Sequence, residues 1–145
     1  MKTLIAEDDF TSRTIARRQL ERFGPCDAVE DGLAAVTAFE RALQAGRPYD
    51  LVCLDIMMPD MDGQEALRRI RATEAQMGIR GTGEVKVIML SALDDPRSVV
   101  EAFYRGGATA YLVKPLAPER LESELRQLGL LNDAQEARRA PTTKE

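Results

Sequence analysis

Several polar residues of this 145-residue chain stand where apolar runs stop. Glu7, Asp8 and Asp9 follow the run at 4–6, Asp55 follows 51–54, Ser91 follows 85–90, and Lys114 follows 111–113. Carboxylates, a hydroxyl and an ammonium are the groups that handle a phosphoryl group. Asp55 can attack phosphorus as a carboxylate nucleophile, Lys114 can neutralise the equatorial oxygens, and Ser91 can donate a hydrogen bond to them. Asp8, Asp9 and Asp55, if brought together, would repel one another and take up protons unless a cation sat among them. With oxygen donors and no closed cage, Mg2+ keeping part of its octahedron as water fits best, and Mn2+ can replace it.

Whether they meet depends on the elements that carry them. Short apolar runs at 4–6, 28–29, 51–54, 85–90 and 111–113 alternate with segments of helical period. The helical stripes are Ala16, Leu20, Phe23; Val36, Phe39, Leu43; Ala66, Leu67, Ile70; Val99, Val100, Phe103; and Leu121, Leu125, Leu128. Gly24-Pro25, Gly46 with Pro48, and Gly106-Gly107 supply stops, and Asp95-Pro96 reads as a helix start. Strand-helix alternation with continuous apolar strands predicts a doubly wound α/β domain, a five-stranded parallel sheet flanked by five helices, for which the strand order 2-1-3-4-5 is one of the two common ones. In that order strands 1 and 3 are neighbours at the switch point, where a ligand crevice is expected, so Asp8, Asp9 and Asp55 converge. The Gly-rich connection EAQMGIRGTGE at 74–84 is expected to be mobile, and the polar residues 129–145 to fray beyond a domain spanning 1–128.

Composition removes other chemistries. The chain has no histidine, which excludes a His-based triad, His-ligated zinc and an internal phosphohistidine. A net charge of −4 argues against a sequence-independent grip on nucleic acid, and no apolar run is long enough to span a membrane. With no signal peptide in view and two cysteines in apolar runs, Cys26 and Cys53, the expectation is a cytoplasmic protein with core thiols. Arg13, Arg17, Arg18 and Arg22 gather on the first helix as a solvated face or a dock for an acidic partner. Each polar residue also has a plainer reading alone. Asp8-Asp9 can be an N-cap, PDMDG a turn with Asp62 as the cap, Ser91 a cap, and Lys114-Pro115 an edge lysine before a turn.

Taken in order, AEDDF, LDIMMPDMDG, MLSA and AYLVKP resemble the receiver domain of bacterial two-component response regulators, over about residues 2–128. The resemblance implies Asp55 as phosphoacceptor. It implies a metal site of Asp9 and Asp55, Asp8 through water, and the backbone carbonyl of Met57. Ser91 becomes the switch hydroxyl, Tyr111 its aromatic partner, Lys114 the phosphate-binding lysine, and the bond before Pro115 is cis. Met57 and Leu93 occupy the positions that tune dephosphorylation. The implied partners are a sensor histidine kinase or phosphotransfer protein and a downstream protein, engaged through a surface over about 95–128.

The expected function is therefore a single-domain receiver that catalyses only its own phosphorylation and dephosphorylation, with no direct DNA binding. A Mg-dependent phosphatase would want a second Asp where Met57 stands. A flavin module would want a phosphate-binding loop where the three acids follow strand 1. A receiver-like binding module that is never phosphorylated is the remaining alternative.

Overall fold

The computed structural model describes residues 1–91 and 109–131. Five strands, β1 (Thr3–Ala6), β2 (Cys26–Val29), β3 (Leu51–Asp55), β4 (Lys86–Ser91) and β5 (Ala110–Val113), form one sheet in the order β2-β1-β3-β4-β5. Every neighbouring pair is parallel. The described helices are α1 (Phe10–Glu21), α2 (Gly32–Gln44), α3 (Gly63–Gln76) and α4 (Pro118–Gln127). The expected doubly wound class and strand order are present. The helix expected from Val99, Val100 and Phe103 lies outside the described residues, so four of the five are seen.

Both faces of the sheet are covered, which explains why its strands read as unbroken apolar runs. Alternate residues feed two cores. Leu4, Ala6, Val52, Leu54, Val87 and Met89 face Val36 and Phe39 of α2 and Leu67 and Ile70 of α3. Ile5, Cys53, Ile88, Leu90 and Leu112 face Ala16 and Leu20 of α1 and Leu121 and Leu125 of α4. Both cysteines are buried and unpaired, and burial pushes the Cys26 thiol up to about 11.

Helix starts follow one rule. Asp9, Asp31 and Asp62 each accept the amide three residues on, from Ser12, Ala34 and Glu65, capping α1, α2 and α3. At the end of α4, Gly129 adopts φ 79° and Leu130 donates back to the Leu125 carbonyl. That turn delivers Leu131 into the second core, at 5% exposure. Packing therefore runs past the expected limit at 128, and the polar tail lies outside the described residues from 132 onward.

The connection after α3, expected to be mobile, is fixed by one buried side chain. Glu74 accepts the Val85 amide at 2.6 Å and the Arg71 guanidinium at 2.7 Å, joining the last turn of α3 to the strand that follows. Between them, a single 3-10 turn occupies Gly81–Gly83. Glu74→Ala would leave a buried amide without its acceptor and should cost about 2 kcal/mol, with Glu74→Gln losing roughly half as much. Urea unfolding of the three proteins checks this, and an unshifted midpoint in Glu74→Ala would show that water replaces the carboxylate.

Candidate functional site

The carboxyl ends of β1, β3, β4 and β5 lie along one edge of the sheet, so residues far apart in the chain become neighbours. Asp55 is the last residue of β3, in register with Leu90. Ser91 is one residue further along β4, in register with Val113, and its carbonyl accepts the Lys114 amide at 2.8 Å. Lys114 thereby leaves the end of β5 with its side chain directed back across the sheet. Its Nζ stands 3.0 Å from Asp55 Oδ2 and 3.0 Å from Glu7 Oε1.

Glu7 and Asp55 are almost fully buried, at 1% and 4% exposure. Burial first, and then the neighbouring Asp55 carboxylate, push the Glu7 carboxyl up to about 7 against the opposing pull of Lys114. Burial also works against the charge on Lys114, yet the bonds to Glu7 and Asp55 outweigh it and hold its pKa above the ordinary lysine value. Lys114 is thus a fixed positive charge.

Oxygens of Glu7, Asp8 and Asp55 lie within 4.8 Å of one another, and this is the acidic group in which a cation fits among the described residues. The structure does not bring Asp9 into it. Asp9 is exposed, and its Oδ2 accepts the Ser12 amide at 2.8 Å, which holds its carboxyl below the usual range. The expected pair of Asp8 and Asp9 is replaced by Glu7 and Asp8, because the start of α1 needs the third acid as its cap. Sequence reading placed Glu7 at the strand end but left it out of the metal set. Spacing alone does not mark which of the three acids is the cap, because the bond comes from a backbone amide that any residue at position 12 would offer.

The other expected residues fall as follows. The Ser91 hydroxyl is buried with no hydrogen-bond partner among the described residues, so a donor at the strand end is left for an incoming oxygen. Met57 is 67% exposed, and its amide donates to Asp55 Oδ1 at 3.2 Å. Tyr111 lies on β5 in register with Met89, its side chain 40% exposed. The bond before Pro115 is cis. Leu93 lies outside the described residues.

Two glycines let the loop after Asp55 close over the site. Gly63 donates to the Ile56 carbonyl at 2.9 Å, and a Cβ there would collide with the Asp55 carbonyl oxygen. Gly32, at the start of α2, donates to the Met61 carbonyl at 3.1 Å, and a Cβ there would strike that oxygen. The arginine group on α1 also resolves into separate contacts. Arg13 donates to the Glu7 and Asp8 carbonyls, Arg17 pairs with Glu21, and Arg22 lies 5.4 Å from the Phe23 ring centre.

Fold and site together define a doubly wound α/β domain with an acid-and-lysine pocket at its switch point. Residues 3–126 match the response regulator receiver domain family, and the chain belongs to it. It is 36% identical over 121 residues to the two-component response regulator ORR41 of Oryza sativa subsp. japonica, covering 83% of this chain and 88% of that protein. To the histidine kinase CKI1 of Arabidopsis thaliana it is 31% identical over 125 residues, 79% of this chain but 11% of the kinase. Among solved structures it resembles the receiver domain of sensor histidine kinase PA1611 from Pseudomonas aeruginosa PAO1, which holds a magnesium ion in its active site cleft. That match has 29% identity and a TM-score of 0.70, and covers 88% of this chain and 95% of that one. No helix among the described residues is long and apolar enough to cross a membrane.

Gly63→Ala forces either the loop or the end of β3 to move and should cost about 2 to 4 kcal/mol. Thermal unfolding measures the loss, and a shift of the Asp55 amide resonance would locate it. A variant as stable as wild type would show that the loop has room to spare.

Proposed function

We propose that this receiver domain accepts a phosphoryl group on Asp55 from the phosphohistidine of a sensor kinase or phosphotransfer protein and signals through a changed protein-binding surface. The carrying observation is the Asp55 carboxylate, held 3.0 Å from a lysine and grouped with two further acids at the switch point. An Asp55 oxygen attacks phosphorus, the P–N bond of the donor breaks, and its electron pair stays on the imidazole nitrogen. Lys114 neutralises charge on the transferred group, and the unpartnered Ser91 hydroxyl donates to one of its oxygens. Tyr111 is the aromatic partner of Ser91 in this reading.

Asp8 and Asp55 would hold Mg2+, with Glu7 behind them and the Met57 carbonyl as a further ligand; Mn2+ suits the same donors. The ion supplies charge compensation for the phosphoryl oxygens. Asp9 has no part in this set. The protein is not an enzyme acting on a separate substrate, since it catalyses only its own modification and its loss.

Similarity over 88% of a rice response regulator supports a single-domain role, and the net charge of −4 favours protein partners over direct DNA binding. The output surface is the one over about 95–128, of which 109–128 is described. The setting is the cytoplasm, where kinase and receiver meet.

Acetyl phosphate and Mg2+ should give a base-labile adduct, seen by mass spectrometry, that is absent in Asp55→Asn and absent when EDTA removes the metal. Equal labelling of Asp55→Asn would sink the assignment. The lifetime of the adduct depends on the water that attacks it. By the resemblance to receiver domains the positions that flank that approach are Met57 and Leu93, and both residues are apolar, so neither can orient the water. Met57→Asn with Leu93→Glu should therefore speed decay about ten- to a hundredfold after donor removal. Decay no faster than wild type would show that these positions do not shield the phosphoryl group.

A further inference from the structure

We propose that Arg13 is a positioning residue for the acid turn after β1: its guanidinium fixes the direction of the Asp8 carboxylate and so sets the affinity of the site for Mg2+. The inference rests on the metal reading of the Glu7, Asp8 and Asp55 group.

Arg13 Nη1 donates to the Glu7 carbonyl at 2.9 Å and approaches the Asp8 carbonyl at 3.4 Å. Peptide groups are planar, so holding a carbonyl oxygen holds the whole unit from one Cα to the next. The Glu7 carbonyl belongs to the peptide before the Asp8 Cα, and the Asp8 carbonyl to the peptide after it. One nitrogen therefore restrains both planes that flank Asp8, and with them the direction of its Cα–Cβ bond. Glu7 has other restraints, since its amide donates to the Val29 carbonyl and its carboxylate accepts from Lys114 and from the Asp9 amide. Asp8 is exposed and, among the described residues, no side chain other than Arg13 donates to its backbone carbonyl.

The position of Arg13 is itself fixed. It lies in the first turn of α1, its amide bonded to the Asp9 carbonyl at 2.8 Å, and its guanidinium lies 5.6 Å from the centre of the Phe10 ring. The two N–H bonds of Nη1 are held in the guanidinium plane, one for each carbonyl, whereas the lysine ammonium is a freely rotating point charge on a shorter, flexible stem.

The sign of the effect separates positioning from charge. A guanidinium beside a cation site repels the cation, so by charge alone its removal would tighten Mg2+ binding. Loss of positioning loosens it.

Full-length wild type, Arg13→Lys and Arg13→Ala are titrated with MgCl2 by calorimetry and by amide shifts, with circular dichroism confirming the fold. Both variants should bind Mg2+ about tenfold more weakly, the usual consequence of losing a group that orients a ligand. The acetyl phosphate reaction of the variants should recover toward the wild-type rate as Mg2+ approaches saturation, which a general loss of structure would not allow. Unchanged or tighter binding in a folded variant would overturn the proposal. If Arg13→Ala does not fold, Arg13→Lys, which keeps the charge and loses the fork, decides alone. Absence of Mg2+ binding in wild type would remove the metal reading itself, and the role of Arg13 with it.

Discussion

The ammonium of Lys114 is the constraint on which the rest of the domain depends. It lies 3.0 Å from a carboxylate oxygen of Glu7 and 3.0 Å from one of Asp55, two groups with 1% and 4% of their surface exposed. Two buried acids side by side cannot both carry charge without a cation, and removing the partner of a buried ion is far more damaging than never having had the pair. The strand ends must therefore meet at one level. Parallel pairing throughout the order β2-β1-β3-β4-β5 brings residues 7, 55, 91 and 114 to the same edge.

Around that contact the structure trades freedom for position. Two cores clamp the sheet from opposite faces, so the strand ends cannot tilt independently. The loop that follows Asp55 is tied twice, through Met61 to the start of α2 and through Gly63 to Ile56. Both ties need an approach closer than a Cβ permits. On the α1 side Asp9 and Arg13 do the equivalent, one accepting the Ser12 amide and the other donating to the carbonyls of the acid turn. Exposed groups are few: of Glu7, Asp8, Asp55, Met57, Ser91 and Lys114, only Asp8 and Met57 are exposed.

Fold class was legible because it rests on periodicity, which local sequence carries, whereas the strand order is a matter of non-local pairing that the period does not encode. The runs at 51–54 and 85–90 became β3 and β4 within a residue or so. Asp55, Ser91 and Lys114 were legible as strand-end residues for the same reason. What escaped was the division of labour within Glu7, Asp8 and Asp9. Which of three consecutive acids turns away from the crevice is settled by how the chain enters α1, where Asp9 accepts the Ser12 amide, and residue type alone does not reveal it. Glu74 escaped for a related reason: an acid at the end of an amphipathic helix looks solvated until the strand that follows is seen to turn its amide onto it. Leu131 lies past a glycine that reads as a stop, and only the reversed turn at Gly129 returns the chain to the core.

The contact between Lys114 and Glu7 spans 107 residues of chain. As the polypeptide leaves the ribosome, β1 and β3 can pair and bury Glu7 beside Asp55 long before their lysine has been made. Until then the buried Glu7 carboxylate lacks the ammonium that opposes the cost of its burial. Final consolidation waits for the last strand, and a long-range closure of this kind is slow because the loop must be ordered before any reward arrives. Of the three residues in this contact, the lysine is the last to be made, and the two acids wait for it.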